Sequence, residues 1–290
     1  MNLSWVESIQ KAIDYIETNL LNTSLSIEQI AKVTNSSVFH FQRTFSILTD
    51  STVGDYIRRR RLTLAAEELI NTEEKIIDLS YKYGYETPEA FTKAFRKQHG
   101  ITPTDARKKK GSIQSYNRLI IQISLKGAEP MNYKIIEKDA FQIVGVKRTY
   151  NCQNGENTQK IPVFWDDVHA DGTNNRLIEL NNGAVNGVLG VCIVEEEQKS
   201  LGLMDYWIAT NHEGDVPEGL LAYEIPPSKW VIFEVHGPMP HAMQETWKKI
   251  YSEWFPSNPY QPAGSAELEV YSNDDPSKTD YYSEIWIPIK

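Results

Sequence analysis

The stretch Ile76–Arg107, IIDLSYKYGYETPEAFTKAFRKQHGITPTDAR, decides the fold of the first half of this chain. It predicts a helix, a tight turn at Gly84 and a second helix that starts after the capping residue Thr87. In the second helix Phe91 and Phe95 are four residues apart and form an apolar face, while the opposite face is polar. The stretch is therefore either an ordinary helical hairpin in water or a helix-turn-helix that presents its polar face to a partner.

The same pattern occurs a second time in Ile27–Leu48, IEQIAKVTNSSVFHFQRTFSIL. A turn at Asn35 follows the first helix, and Phe41 and Phe45 occupy the places of the two later phenylalanines. This repetition favours a pair of helix-turn-helix units over a chance hairpin. The faces opposite these phenylalanine pairs, called the polar faces below, consist of Phe39, Gln42, Arg43 and Ser46 in the first copy and Glu89, Thr92, Lys93 and Arg96 in the second.

Both polar faces carry side chains that suit the edges of DNA bases. Arg43 and Lys93 match guanine, and Gln42 matches adenine. Glu89 can accept a hydrogen bond from cytosine, and Thr92 can touch a thymine methyl group or a phosphate. The alternative is that these residues are surface side chains of amphipathic helices. The candidate DNA-binding residues are Phe39, Gln42, Arg43, Glu89, Thr92 and Lys93.

A long helix is predicted between the two units, at Val53–Ile70, because this segment has few helix breakers. It would hold the two recognition helices at a fixed separation. Basic runs at Arg58–Arg61 and Arg107–Lys110 supply positive charge for phosphate contacts, unless they are solvated faces. An amphipathic helix at Trp5–Leu20 is expected to serve as a scaffold.

The segment from Trp5 to Arg107 resembles the DNA-binding domain of AraC/XylS-type transcription regulators. Asn35 stands where the family usually has a turn glycine, which asparagine can replace by adopting a left-handed conformation. The resemblance implies two recognition helices that enter successive major-groove segments, about 34 Å apart. The residues that carry it are Ile30-Ala31, Ser37, Phe41-Gln42-Arg43, Phe45, Tyr56-Ile57, Arg61, Ala65-Ala66, Gly84-Tyr85, Phe91, Phe95, Gly100, Thr102-Pro103 and Arg107.

Charge is distributed unevenly along the chain. The 290 residues carry a formal net charge of −9, but the first 112 contain 16 Lys and Arg against 14 Asp and Glu. The acidity therefore belongs to the second half, and the first half remains compatible with nucleic-acid binding.

Several other classes of protein are disfavoured. Neither a membrane-spanning run nor a signal peptide is recognisable, so we expect a cytoplasmic protein. Cys152 and Cys192 have no metal-type spacing and are expected to be reduced, with no metal site and no cofactor. Six scattered histidines form no HExxH motif, and the sequence has no nucleophile elbow or phosphate loop, so no catalytic residue is predicted.

The second half predicts an α+β domain with an internal duplication. After a polar hinge at 111–118, an alternating strand is expected at Leu119–Leu125. The order strand, helix, strand, strand then occurs twice, which suggests a pseudo-twofold unit with a cleft between its halves. Strands are predicted at Asn132–Glu137, Phe141–Tyr150, Gly187–Val194, Leu203–Thr210, Lys229–His236, Ala266–Tyr271 and Tyr281–Ile289, and helices at Thr158–His169 and Pro240–Phe255.

This half resembles the GyrI-like effector-binding domain. The residues that carry the resemblance are Phe141–Gly145, Ile225–Trp230, His236–Pro238 and Glu284–Ile289. Members of that family use a glutamate of the closing motif, set among aromatic residues, to bind lipophilic cations, and the resemblance assigns this role to Glu284. This role is consistent with the chemistry of the residues, because a carboxylate in an apolar site needs a compensating cation and aromatic faces attract ammonium groups.

Strand alternation extends the candidate effector site. It puts Tyr282 and Trp286 on the same face as Glu284, and the repeat sets Asp205 and Trp207 opposite them. The alternative is that Trp207 and Trp286 belong to the core, as aromatic residues in strands commonly do, and that Asp205 is a charged residue of an edge strand.

We therefore predict a multi-domain chain with an all-α double helix-turn-helix domain at 1–110, a linker at 111–118 and an α+β GyrI-like domain at 119–290. The expected function is sequence-specific transcription regulation, as an activator that responds to a lipophilic or cationic small molecule. One alternative is a sequestering or hydrolytic detoxification protein, and another is an acidic protein-interaction domain. The expected partners are double-stranded DNA, bound by a monomer, a small effector and RNA polymerase, with no membrane.

Overall fold

The chain forms two compact units in a computed structural model that describes residues 5–121, 130–152, 156–199 and 201–290. Unit 1 comprises Met1–Asn35 and Ser51–Gln122, and unit 2 comprises Ser36–Asp50 and Ile123–Lys290. The first half of the chain forms the helices α1 (Trp5–Thr18), α2 (Ile27–Val33), α3 (Val38–Thr49), α4 (Val53–Asn71), α5 (Ile76–Lys82), α6 (Pro88–His99) and α7 (Pro103–Arg107). All of them belong to unit 1 except α3, which belongs to unit 2.

The predicted helix-turn-helix of Ile76–Arg107 is confirmed by α5 and α6. The Thr87 hydroxyl accepts a hydrogen bond from the Ala90 amide at 3.1 Å, which caps α6. Gly100 ends the helix in the left-handed conformation, with φ of 74°. Phe91 and Phe95 are fully buried in one core with Leu62, Leu79 and Tyr83.

The basic run of α4 serves the fold of unit 1 as well as its surface. Arg60 pairs with Glu17 of α1 at 2.8 Å, and Arg61 Nε donates to the Leu20 carbonyl oxygen at 2.7 Å. Arg58 remains exposed. Only part of this run is therefore available for phosphate contacts.

The segment after α7 runs along unit 1. The Tyr116 amide donates to the Thr63 hydroxyl, and the Leu119 amide donates to the Tyr56 hydroxyl at 3.2 Å. The strand predicted at Leu119–Leu125 is irregular at 119–121, and its remaining residues lie outside the described part of the chain.

Unit 2 is built on an antiparallel sheet of eight strands in the order β1-β6-β8-β7-β3-β4-β2-β5. The strands are β1 (Tyr133–Lys138), β2 (Phe141–Asn151), β3 (Val188–Ile193), β4 (Leu203–Asn211), β5 (Leu221–Ile225), β6 (Ser228–His236), β7 (Glu267–Tyr271) and β8 (Tyr282–Pro288). Its helices are α8 (Glu156–Ala170), α9 (Thr173–Leu180), α10 (Glu196–Lys199), α11 (His241–Lys249) and α12 (Phe255–Ser257), with a π-helical segment at Ile250–Trp254.

The predicted duplication is confirmed. The series β2-α8-β3-β4 and β6-α11-β7-β8 form two halves, which meet where β3 pairs with β7. The halves are also linked at the edges of the sheet, because β1 pairs with β6 of the second half and β5 pairs with β2 of the first half. Neither α9 nor the separate strand β5 was predicted, because both are short and lack a strong periodic pattern.

The two faces of the sheet are covered differently. One face carries a core contributed mainly by strands, including Trp207, Trp230 and Trp286. The other face packs against helices, and its core includes Phe164 of α8 and Leu177 of α9. Because side chains alternate along β7, Leu268 lies on the first face and its neighbours Glu267 and Glu269 lie on the second. None of the described helices has the length and apolar character needed to cross a bilayer.

We predict that Phe91→Ala lowers the free energy of unfolding of unit 1 by about 3–5 kcal/mol, because it opens a cavity in a fully buried core. Arg96→Ala, on the exposed side of the same helix, should change it by less than about 0.5 kcal/mol. Urea denaturation of the full chain followed by far-ultraviolet circular dichroism measures both. Equal effects of the two substitutions would contradict the assigned core.

Candidate functional site

The second recognition helix, α6, presents the polar face that the sequence predicts. Glu89 and Lys93 are exposed, and Thr92 is half-buried on the same side of the helix. Arg96 is exposed one turn further along. This face carries both charge and hydrogen-bonding groups, as a helix that enters a DNA groove requires.

The first recognition helix, α3, is packed within unit 2. The Ser37 hydroxyl caps it by accepting from the His40 amide at 3.2 Å, and Asp50 ends it in the left-handed conformation. Asn35, just before it, has φ of 53°, as predicted for a residue in the place of a glycine. Phe39 packs against the helix-covered core of the sheet, which includes Cys152 and Cys192.

The two polar residues of α3 that were predicted to read bases are engaged inside unit 2. Gln42 is buried, and its amide donates to the Cys152 carbonyl oxygen at 3.0 Å. Arg43 Nη1 lies 3.1 Å from the Cys192 sulfur. In this structure neither side chain is free to contact DNA, and base reading by Gln42 and Arg43 stays a prediction.

Arg43 occupies a site built from two carboxylates and an aromatic ring. Its Nε lies 3.1 Å from Glu267 Oε2, and its Nη2 lies 3.5 Å from Glu269 Oε1. The guanidinium carbon is 4.3 Å from the centroid of Trp247. The side chain of Arg43 is 16% exposed and that of Glu267 only 3%, so this ion pair is largely withdrawn from water. We call Glu267, Glu269, Trp247, Tyr251 and Tyr271 the acidic aromatic site.

Both carboxylates of the acidic aromatic site are held by neighbouring donors. The Tyr251 hydroxyl donates to Glu267 Oε1 at 3.2 Å, and His40 Nδ1 lies 3.5 Å from the same oxygen. Trp247 Nε1 donates to Glu269 Oε1 at 2.8 Å, and the Tyr271 hydroxyl donates to Oε2 at 2.9 Å. These contacts fix the orientation of both carboxylates.

Charge in this site is maintained by compensation. Burial alone would raise the pKa of Glu267, but Arg43 and hydrogen bonds from His40 and Tyr251 outweigh burial and lower it. Burial raises the pKa of the neighbouring Cys192 thiol to about 12, so this thiol is neutral at physiological pH. The site therefore holds a carboxylate that stays ionised because a cation lies against it.

The halves of unit 2 both contribute to this region. The hydroxyl of Tyr206 on β4 accepts a hydrogen bond from Trp165 Nε1 of α8 at 3.0 Å, and the Trp165 ring meets that of Tyr271 at 5.2 Å. Gly190 on β3 leaves room for the Tyr206 hydroxyl, since an added Cβ would come within 2.4 Å of it. Aromatic rings from the first half thus extend the surface around the carboxylates of the second half.

Three of the predicted effector-binding residues line a separate cavity on the opposite face of the sheet. Tyr282, Glu284 and Trp286 border a space of about 500 Å³ together with Lys134. Glu284 accepts hydrogen bonds from the Tyr282 hydroxyl and from Trp286 Nε1, both at 2.6 Å, and Lys134 Nζ lies 3.2 Å from it. The carboxylate of Glu284 is thus already paired with a lysine.

The other two predicted effector-binding residues lie elsewhere. Asp205 and Trp207 are on β4, three strands away from β8, and they do not line the cavity of Glu284. Asp205 accepts from Thr149 at 2.6 Å and pairs with Lys147 at 2.5 Å. Although burial opposes it, these partners lower the pKa of Asp205. The structure therefore does not bring the five predicted residues into one pocket.

The residues of the acidic aromatic site were not predicted from the sequence. The signal available was the segment AELEVYS, which places Glu267, Glu269 and Tyr271 on one side of a strand. A strand with alternating acidic residues ordinarily has one solvated face, and nothing local indicates that α3 and α11 cover it. No group of three or more His, Cys, Asp or Glu residues in the described ranges is arranged to hold a metal ion.

We predict that the Glu267 carboxyl titrates below its ordinary pKa near 4.5, and that Arg43→Met raises its pKa above that value because burial then dominates. A lowered pKa means that the ion pair stabilises unit 2 above about pH 4.5 and loses this contribution as the pH falls through the lowered pKa. Carbon-13 NMR of the carboxyl group measures both variants, with Arg96→Met as the control that keeps the low value. A Glu267 that titrates normally beside Arg43 would refute the buried ion pair.

Comparison with known proteins identifies both parts of the chain. Residues 131–290 match the model of the GyrI-like small molecule binding domain, and residues 30–109 match a helix-turn-helix domain. The structure of SAV2435 bound to tetraphenylphosphonium is similar over 55% of this chain and 94% of that one, with 28% identity and a TM-score of 0.50.

Curated relatives match the helical part. The regulatory protein SoxS of Escherichia coli K12 is 40% identical over 105 residues, which cover 36% of this chain and 97% of SoxS. The transcriptional activator AarP of Providencia stuartii is 36% identical over 113 residues, which cover 39% of this chain and 81% of AarP. The chain therefore belongs to the GyrI-like family, and it joins this small-molecule binding domain to the helix-turn-helix domain of an AraC-type DNA-binding transcription regulator.

Proposed function

We propose that this regulator binds a lipophilic organic cation in the acidic aromatic site and activates transcription in response. The observation that carries the proposal is the buried, ionised carboxylate of Glu267 beside aromatic rings, with a cation already stacked on Trp247. A carboxylate in such surroundings is costly unless a cation compensates it. The site is thus selective for positive charge rather than for a particular shape.

The aromatic side chains of the acidic aromatic site indicate which class of ligand it binds. Trp247 and Tyr251 are both buried and stacked, with ring centroids 5.9 Å apart, so a ligand here exchanges water for aromatic faces. Weakly hydrated organic cations lose little on leaving water and gain cation–π attraction. The tetraphenylphosphonium bound to SAV2435 is a cation of this class, and the similarity of that protein to unit 2 supports the assignment.

A second location for the effector is the cavity of Glu284. Its volume of about 500 Å³ falls in the range of ordinary ligand pockets, and Tyr282 and Trp286 offer aromatic surface. The side chain of Glu284 is 12% exposed and that of its partner Lys134 is 56% exposed, so this carboxylate is less withdrawn from water than Glu267 and needs a compensating cation less. Substitutions of the two glutamates separate the locations.

DNA recognition is proposed for both recognition helices. On α6 we assign base or phosphate contacts to Glu89, Thr92 and Lys93. On α3 we assign them to Phe39, Gln42 and Arg43, once this helix has left unit 2. The arrangement suits an asymmetric site bound by a monomer in the cytoplasm, with RNA polymerase as a further partner of the activator.

We predict that Glu267→Gln weakens tetraphenylphosphonium binding to the full chain by at least about tenfold, since a charge at 4 Å contributes on the order of 4 kcal/mol at an intermediate dielectric constant. Glu284→Gln should change the affinity by less than about threefold, and the exposed Glu245→Gln serves as the control. Isothermal titration calorimetry measures all three. The reverse order for Glu267 and Glu284 would move the effector to the cavity, and no effect of either would refute cation binding by these carboxylates.

We predict that Lys93→Ala reduces the preference for a selected operator over random duplex DNA by about 5- to 150-fold, which corresponds to the loss of about 1–3 kcal/mol of base discrimination. Lys160→Ala, an exposed lysine of unit 2, should leave the preference unchanged. Fluorescence anisotropy across a salt series measures both, because the salt dependence separates phosphate contacts from base contacts. If ligand binds but never alters DNA affinity, sequestration of the ligand becomes the better description of the function.

A further inference from the structure

The residue that the sequence assigns to DNA is the residue that fills the acidic aromatic site. Resting on the proposed function, we infer that Arg43 is an internal competitor of the effector, so that α3 is released to read DNA only when an external cation takes its place. Arg43 cannot contact a base and pair with Glu267 at once. The same side chain therefore links the two functions of the protein.

Contacts on both sides of Arg43 seat α3 in unit 2. Phe39 packs against the helix-covered core, and Gln42 donates to the Cys152 carbonyl oxygen. At the end of the helix, Asp50 Oδ1 pairs with Lys248 Nζ of α11 at 2.7 Å. Apolar, hydrogen-bonding and ionic contacts thus hold the whole length of α3.

The same interface also contains unmet polar groups. Within the described residues, the buried atoms Gln42 Oε1, Arg43 Nε and Glu267 Oε2 have no aligned hydrogen-bond partner. The ion pair of Arg43 with Glu267 is close, at 3.1 Å, but it lacks the alignment of a hydrogen bond. Arg43 Nε and Glu267 Oε2 still compensate the charge of each other, so Gln42 Oε1 is the atom of these three that is left unmet. A buried polar atom without a partner reduces the stability of a packed interface, which lowers the cost of moving α3 out of unit 2.

The energetics favour exchange over simple release. Removing one partner of a buried ion pair leaves an uncompensated charge, and this alone strongly disfavours departure of Arg43. A cationic effector restores the charge balance at Glu267, while a DNA phosphate or guanine restores it at Arg43. Effector and operator should therefore strengthen the binding of each other by the same factor.

Competition with Arg43 also sets which ligands can act. A guanidinium is itself weakly hydrated and stacks on Trp247, so a competitor must match both properties. Small, strongly hydrated cations such as ammonium or sodium would lose more on leaving water than they gain. Bulky organic cations with aromatic surface meet both requirements.

The ion pair between Asp50 and Lys248 provides a direct readout of the seated helix. A carbodiimide converts a contacting carboxylate and amine into an amide, which mass spectrometry detects in the full chain. Saturating tetraphenylphosphonium together with operator DNA should reduce this cross-link by at least about fivefold, whereas the cross-link between Glu68 and Lys82 within unit 1 should not change. An undiminished cross-link between Asp50 and Lys248 overturns the inference.

A second measurement uses the affinity of the effector. Arg43→Met removes the competing charge and keeps much of the side-chain volume, so it should tighten tetraphenylphosphonium binding by about tenfold or more, because a larger fraction of the protein is then competent to bind. Arg176→Met, at an exposed arginine of α9, is the matched control and should leave the affinity unchanged.

The outcomes separate this inference from the proposed function. If binding depends on Glu267 but neither Arg43→Met nor the cross-link responds, the effector site stands and competition by Arg43 is wrong. If binding is independent of Glu267, the proposed site itself is wrong. If Arg43→Met tightens binding and the cross-link is lost with ligand and DNA, both are supported.

Discussion

The burial of the Glu267 carboxylate is the constraint on which the rest of unit 2 depends. Its side chain is 3% exposed, so an ionised form persists only beside a cation. Arg43 supplies this cation, and Trp247 and Tyr251 enclose the pair. The proposed exchange of Arg43 for an external cation rests on this requirement, because the site needs a positive charge before and after the exchange.

The duplicated sheet explains how such a point is created. Two strand-helix-strand-strand halves meet at β3 and β7, and each half receives an edge strand from the other. This exchange makes the eight strands one continuous surface. Helices cover one face of that surface, and Glu267 and Glu269 project from the central strand β7 toward them. Aromatic residues of both halves then surround the carboxylates.

The two recognition helices differ in how readily they can be buried. The polar face of α6 carries Glu89, Lys93, Arg96 and, beside them, Lys97, and withdrawing four charges from water would be prohibitive. The polar face of α3 carries a single formal charge, Arg43, which finds two carboxylates. Composition thus decides which helix can be held in unit 2 and which stays available at the surface.

The sequence by itself determined the helix-turn-helix of α5 and α6, the limits of α4 and the duplicated order of strands in unit 2, because local periodicity, caps and turns specify these features. Only the tertiary structure decided where α3 lies and which carboxylates share a site. Periodicity assigns Glu267 to one side of a strand, but it cannot tell whether that side meets water or a distant helix. The pairing of Arg43 with Glu267 joins residues far apart in the chain, and its strength comes from exclusion of water, which exists only after the surrounding elements have packed.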